Sequence, residues 1–153
     1  TSAAVFRLMA ELMDGGLDVA ELRERMDTQW SLARSCLWGR LLGKVESRLG
    51  GRLILCVIGR EDMEACAAAG DDLEGFVELL RRHRGVELAV TLREEAPDRC
   101  KLSLRSFGGV DARALALHFG GGGHENAAGA TLHAPVDSAR EQVIALARAM
   151  FGL

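Results

Sequence analysis

The stretch Phe119-Gly120-Gly121-Gly122-Gly123-His124-Glu125-Asn126-Ala127-Ala128-Gly129-Ala130 carries the densest chemical signal in the chain. Consecutive glycines lose much conformational freedom on folding, so a fold keeps them where the backbone must come close to something. Backbone N–H groups of such a loop, and of the helical turn that HENAAGA can form, converge on an anion-sized space. Gly121, Gly122 and Gly123 would supply backbone donors there, and His124 a ring donor to a phosphate oxygen. The same residues also fit a flexible connection with His124 as a surface turn residue. No Lys-Ser or Lys-Thr follows the glycines, which excludes a Walker loop, and they follow a predicted helix, which excludes a dinucleotide-binding fingerprint. A second candidate is Ser103-Leu104-Arg105-Ser106. Period-two spacing puts Ser103 and Arg105 on the polar face of a strand, where a guanidinium and a hydroxyl suit phosphate recognition. Taken alone, the same pattern describes a solvated strand face.

These residues need elements to hold them. Val5, Leu8, Met9 and Leu12 predict a helix at once, closed by Gly15-Gly16. Asp18 and Glu21 have capping-box spacing and start a short helix to about Thr28. Ser31 can cap a third helix, with Cys36, Leu37, Leu41, Leu42, Val45 and Leu49 as its stripe and Gly50-Gly51 as its stop. The pattern then turns to α/β. Residues 52–58 read as a near-continuous apolar strand, which suggests burial on both faces. Residues 61–69 look helical, and Asp71-Asp72 cap another helix to about Arg82. Residues 86–92 and 100–106 read as a strand pair with Pro97-Asp98 in the turn. Asp111 caps a helix carrying Leu115 and Phe119, and a strand at 130–132 and a helix from Asp137 follow the glycines. The expected fold is α/β: a mixed sheet of about four or five strands flanked by helices, with an N-terminal helical connector over residues 1–49.

Composition bounds the function. The 153 residues are 48% hydrophobic and 27% charged, enough for a real core and too apolar for wholesale disorder. Net charge is −3, which argues against a nonspecific DNA-coating protein. Charge is uneven: residues 1–98 hold 13 Lys/Arg against 18 Asp/Glu, whereas residues 99–153 hold 6 against 4. Within 99–124, Arg99, Lys101, Arg105 and Arg113 face Asp111 alone, so the last third is where an anion would be met. No apolar run approaches the roughly 20 residues of a membrane span. The acid-containing amphipathic opening does not resemble a leader peptide. Cys36, Cys56, Cys66 and Cys100 show no C-x-x-C spacing and sit among apolar neighbours, so four free buried thiols in a reducing cytoplasm are expected.

The strand SLRS, a helix, and FGGGGHxxAAGA together resemble the DHHA1 domain that follows the DHH domain in DHH-family phosphoesterases. The likeness is to the oligoribonuclease/pAp-phosphatase branch (nano-RNases), with RecJ-like exonucleases and cyclic-di-AMP phosphodiesterases as relatives. It covers residues 50–153, and residues 1–49 look like the connector from a DHH domain. The resemblance implies a cytoplasmic hydrolase in which the DHH domain holds two Mn²⁺ or Mg²⁺ ions and the DHHA1 domain grips nucleic acid or nucleotide. Ser103, Arg105, Gly121, Gly122, Gly123 and His124 would then form the phosphate-binding site. No Asp-His-His triplet occurs, and His83, His118, His124 and His133 lie far apart without paired carboxylates. This chain is therefore expected to bind substrate with no catalytic or metal residues and no cofactor of its own. Expected partners are short single-stranded RNA or DNA, or a nucleotide phosphate, and the DHH domain of the same protein. A homodimer through the apolar face of residues 1–49 is a further expectation. Trp30 and Trp38 are expected in a core or against that DHH domain rather than on a base. The alternative is a non-enzymatic nucleic-acid-binding or dimerisation module.

Overall fold

A computed structural model describes residues 2–27 and 29–153, which divide into two compact units, Thr1–Ser31 and Leu32–Leu153. The first unit holds α1 (Ala3–Asp14) and α2 (Val19–Asp27). Gly16, at φ 98°, turns the chain out of α1 in a conformation that a side chain would strain. Asp18 Oδ1 accepts from the amides of Ala20 at 2.8 Å and Glu21 at 3.0 Å, so the expected cap of α2 is present. Thr28, the expected end of that helix, lies outside the described residues.

The second unit runs α3 (Leu32–Leu42), β1 (Glu46–Arg48), β2 (Leu53–Ile58), α4 (Arg60–Ala65), α5 (Phe76–Leu80), β3 (Leu88–Ala96), β4 (Arg99–Ser106), α6 (Ala112–His118), β5 (Gly122–His124), β6 (Ala127–Leu132) and α7 (Val136–Met150). The strands form one six-stranded mixed sheet in the order β1-β2-β3-β4-β6-β5. Among the described strands β2 and β3 are the one neighbouring pair that runs parallel, joined by the helical crossover through α4 and α5.

The expected α/β class holds, with six strands rather than four or five. Both newcomers, β1 and β5, are three residues long, too short to show a period. β1 corrects the expected third helix: α3 stops at Leu42, and Val45 and Leu49 flank an edge strand. A fork from Arg140 on α7 fixes that strand, with Nε donating to Glu46 Oε1 at 3.0 Å and Nη2 to Oε2 at 2.5 Å. Asp71-Asp72 open a 3₁₀ turn (Gly70–Leu73) rather than a helix reaching Arg82, and the α-helix proper is the short α5.

Side chains alternate across the sheet into two cores. Leu53, Leu55, Val90, Leu92, Leu102 and Leu104 face α6 and α7. Ile54, Cys56, Ile58 and Ala89 face Leu37, Leu41, Phe76 and Leu80 of α3 and α5. β2 is thus buried on both sides, as its unbroken apolar run predicts. Trp38 is buried in the second core, while Trp30 is exposed.

The cysteines need a correction. Cys36 on α3 and Cys66 at the end of α4 are disulfide-bonded, with 5.6 Å between their Cα atoms. They are 30 residues apart in sequence, and only the packing of α3 beside α4 brings them together. Cys56 and Cys100 are free and buried, and burial pushes the Cys56 thiol up to about 12. No described helix is long and apolar enough to cross a membrane.

Candidate phosphate-binding face

The helices cover the sheet unequally. α6 and α7 lie along one face, whereas on the other α3, α4 and α5 pack over β2 and β3 and reach only the margin of β4. Directly paired residues in an antiparallel ladder stand on the same face. The register therefore defines three transverse rows on the uncovered face. The first is Ala89, Arg105, Ala127 and His124; the second is Thr91, Ser103, Gly129 and Gly122; the third is Arg93, Lys101 and Thr131. Strand spacing puts Arg105 and His124, two strands apart, about 10 Å from each other at the backbone, and neighbouring rows about 7 Å apart. Residues read from two separate motifs thus arrive in adjacent rows of one surface.

Each side chain is held differently. Arg105 is half-buried, with Nε donating to Glu78 Oε1 of α5 at 2.6 Å and Nη1 to the Leu104 carbonyl at 2.9 Å. Nη2 makes no hydrogen bond to a described residue. Ser103 is half-buried and His124 exposed, and neither makes a side-chain hydrogen bond or ion pair to a described residue. Ser106 belongs to the other side of the strand. Fully buried, it donates through Oγ to the Glu125 carbonyl at 3.2 Å and pins the β5–β6 turn against β4.

The glycine run is a hairpin arm, which corrects the helical turn expected over HENAAGA. Residues 122–124 pair with β6, so the glycine run opens no helix on this surface. A methyl at Gly121 would sit 2.1 Å from the Gly129 carbonyl oxygen, and one at Gly123 would sit 2.5 Å from the Ala127 oxygen. Both are required by the hairpin's own close approach. A methyl at Gly122 would meet nothing within 4 Å, so its bareness serves no internal contact and leaves open floor in the row of Ser103, two strands away.

Two cavities adjoin this floor. One of about 270 Å³ lies between α5 and the strands, lined by Phe76, Glu78, Thr91, Arg93, Ser103 and Arg105 among others. A second of about 570 Å³ is lined by Lys101, Ser103, Gly121, Gly129, Thr131 and His133 among others, and Lys101 and Ser103 border both. Sequence reasoning missed Glu78, Arg93, Thr131 and His133 as site residues. Lys101 was within reach, since it shares the period-two face of Ser103 and Arg105; Arg93 and Thr131 appear only once the strands are in register. Among the described residues, no three of His, Cys, Asp and Glu gather as metal ligands would.

Residues 44–152 match the DHHA1 domain family. This chain is a member of the DHHA1 family. It is 37% identical, over 149 residues, to the bifunctional oligoribonuclease and PAP phosphatase NrnA of Thermus thermophilus, covering 97% of this chain and 44% of that protein. The DHHA1 fold here also superposes on an exopolyphosphatase-related protein of Bacteroides fragilis, with TM-score 0.88 and 25% identity over 100% of this chain and 46% of that one. The pGpG-specific phosphodiesterase PggH of Vibrio cholerae shares the fold, with TM-score 0.57 and 16% identity over 96% and 51% of the two chains. This DHHA1 chain spans less than half the length of the curated relative it matches. The resemblance carried by SLRS and FGGGGH therefore holds at the level of the family.

Proposed function

We propose that the uncovered face grips the phosphate groups of a short oligoribonucleotide, or of a nucleoside bisphosphate such as pAp, on behalf of a DHH phosphodiesterase. The observation that carries this reading is the convergence of Ser103, Arg105, Gly122 and His124 in two adjacent rows of one open sheet face. Arg105 neutralises phosphate charge through the guanidinium edge that Glu78 and Leu104 leave open. Ser103 adds a hydroxyl donor, His124 adds a ring N–H from the opposite side, and Gly122 lets the anion approach the backbone. Two divalent ions would activate the attacking water in such an enzyme. In this reading the metal ions belong to the DHH domain of the same protein, its partner in the cytoplasm, and this chain's part is binding and orientation. The identity to the Thermus oligoribonuclease and PAP phosphatase supports this substrate class.

Calorimetric titration with a 5′-phosphorylated diribonucleotide tests the proposal. Saturable, salt-sensitive binding is expected, weakened about tenfold by Arg105→Ala and by His124→Ala, the order of a hydrogen bond to a charged group. Binding that neither substitution alters would place the site elsewhere.

A further inference from the structure

The proposed site uses two of the three rows and leaves the third unassigned. In that row Arg93 is committed: its Nη2 donates to Glu95 Oε1 at 2.5 Å, and Arg99 stands 3.4 Å from the other oxygen of the same carboxylate. Lys101 is exposed and forms no ion pair with a described residue, although the Glu95 charge lies near enough to feel it. Thr131 pairs directly with Lys101 across the β4–β6 ladder, which puts its hydroxyl on the same face. His133, two residues on, lines the same cavity as Lys101 and Thr131. An ammonium, a hydroxyl and an imidazole thus border one cavity, with no carboxylate among its lining residues.

Lys101 stands four residues from Arg105 along β4, about 14 Å, with Ser103 midway. Three evenly stepped polar rows match the repeat of phosphates along an extended single strand. We propose that Lys101, Thr131 and His133 form a distal phosphate subsite, which takes the third phosphate of an oligonucleotide whose first two lie at Arg105/His124 and Ser103/Gly122. The subsite rests on the phosphate-binding reading of the first two rows and adds a preference for length. A substrate with three phosphates reaches Lys101, and one with two does not.

The experiment is a titration of the 153-residue chain with 5′-phosphorylated di- and triribonucleotides of one base, across a range of salt. Wild-type protein is expected to bind the trimer about five- to tenfold more tightly. Lys101→Ala should abolish that increment, leave dimer binding unchanged, and reduce the trimer's log–log salt slope by about 0.7, one phosphate contact on a single strand. Arg105→Ala should weaken dimer and trimer alike. Arg113→Ala, which removes an exposed charge on α6, should leave the increment intact; loss of the increment there too would reduce the effect to bulk charge and overturn the subsite. An increment that survives Lys101→Ala while Arg105→Ala weakens both ligands overturns the subsite and leaves the primary site standing. Equal weakening of dimer and trimer by Lys101→Ala moves Lys101 into the primary grip and overturns the distal assignment. No binding of either ligand by a protein with a native melting curve overturns both readings.

Discussion

An added methyl meets the Gly129 carbonyl oxygen at 2.1 Å if placed on Gly121, and meets no atom within 4 Å if placed on Gly122. Two neighbouring glycines are therefore kept for different reasons, and substitution separates them. Gly121→Ala forces the β5–β6 hairpin apart and is expected to destabilise the chain by about 2 kcal/mol, the usual cost of overpacking. Gly122→Ala has room, and its φ is not in the left-handed region, so its stability should stay within about 0.5 kcal/mol of wild type. Its methyl stands in the row of Ser103, two strands away, however, and should weaken diribonucleotide binding several-fold. Urea unfolding and calorimetry on both variants check this. A Gly122→Ala protein that unfolds as readily as Gly121→Ala would refute the space argument, and one that binds like wild type would remove Gly122 from the site. At this scale the sequence is informative about residue type and silent about partners. Arg105 is legible as a cation on the polar face of a strand, but its engagement by Glu78, 27 residues earlier, depends on α5 packing at the margin of β4.

α4 shows how a short element is held by one buried charge. Asp62 is 1% exposed; its carboxylate accepts from Lys44 Nζ at 2.5 Å and from the Gly59 amide at 3.0 Å, with Arg40 Nη2 at 3.5 Å. Burial pushes the carboxyl up, but the Lys44 hydrogen bond, the Gly59 N–H and the charges of Lys44 and Arg40 outweigh it and hold the group below its ordinary 3.8. Because the folded value is depressed, this contribution is fully present above pH 3.8 and is lost as pH falls through the folded value. Asp62→Ala should cost about 2 kcal/mol at pH 7. The gap between variant and wild type in urea unfolding should close as the buffer is taken well below pH 3.8; a gap that persists there would mean that packing, not charge, holds α4. Elements with a long period were the legible ones: β2, β3, β4, α6 and α7 follow from alternation, helical spacing and the Asp111 cap, whose Oδ1 accepts from the Ala114 amide at 3.1 Å. The misread elements carry conflicting or insufficient local signals. HENAAGA is rich in helix-favouring residues yet is drawn into the sheet by pairing with β4, and β1 is fixed largely by Arg140, 94 residues away. The Cys36–Cys66 pair is likewise a product of packing that no spacing rule reveals.

The whole molecule joins a sheet that is fully cored on one face and half-cored on the other to a helical unit whose longer helix, α1, buries none of its residues. The uncovered half of the sheet was not legible from the sequence, because the strand residues that line it, such as Thr131 and Gly129, look the same whether a helix covers them or a ligand does. Both cores of Leu32–Leu153 are built only from residues at Leu37 and beyond. Val5, Phe6, Leu8, Leu12 and Met13 of α1 are exposed. A chain of residues 32–153 is therefore expected to fold alone and to unfold cooperatively, with a stability within about 1 kcal/mol of the 153-residue chain, or a few degrees in Tm for a domain of this size. It should also keep the diribonucleotide affinity, since Ser103, Arg105, Gly122 and His124 all lie in the second unit. Thermal unfolding followed by calorimetric titration of the shortened chain decides the matter. A non-cooperative transition would mean that residues 1–31 complete the fold. A native transition with lost binding would mean instead that the helical unit contributes to the grip, and would move the search for the rest of the site to α1 and α2.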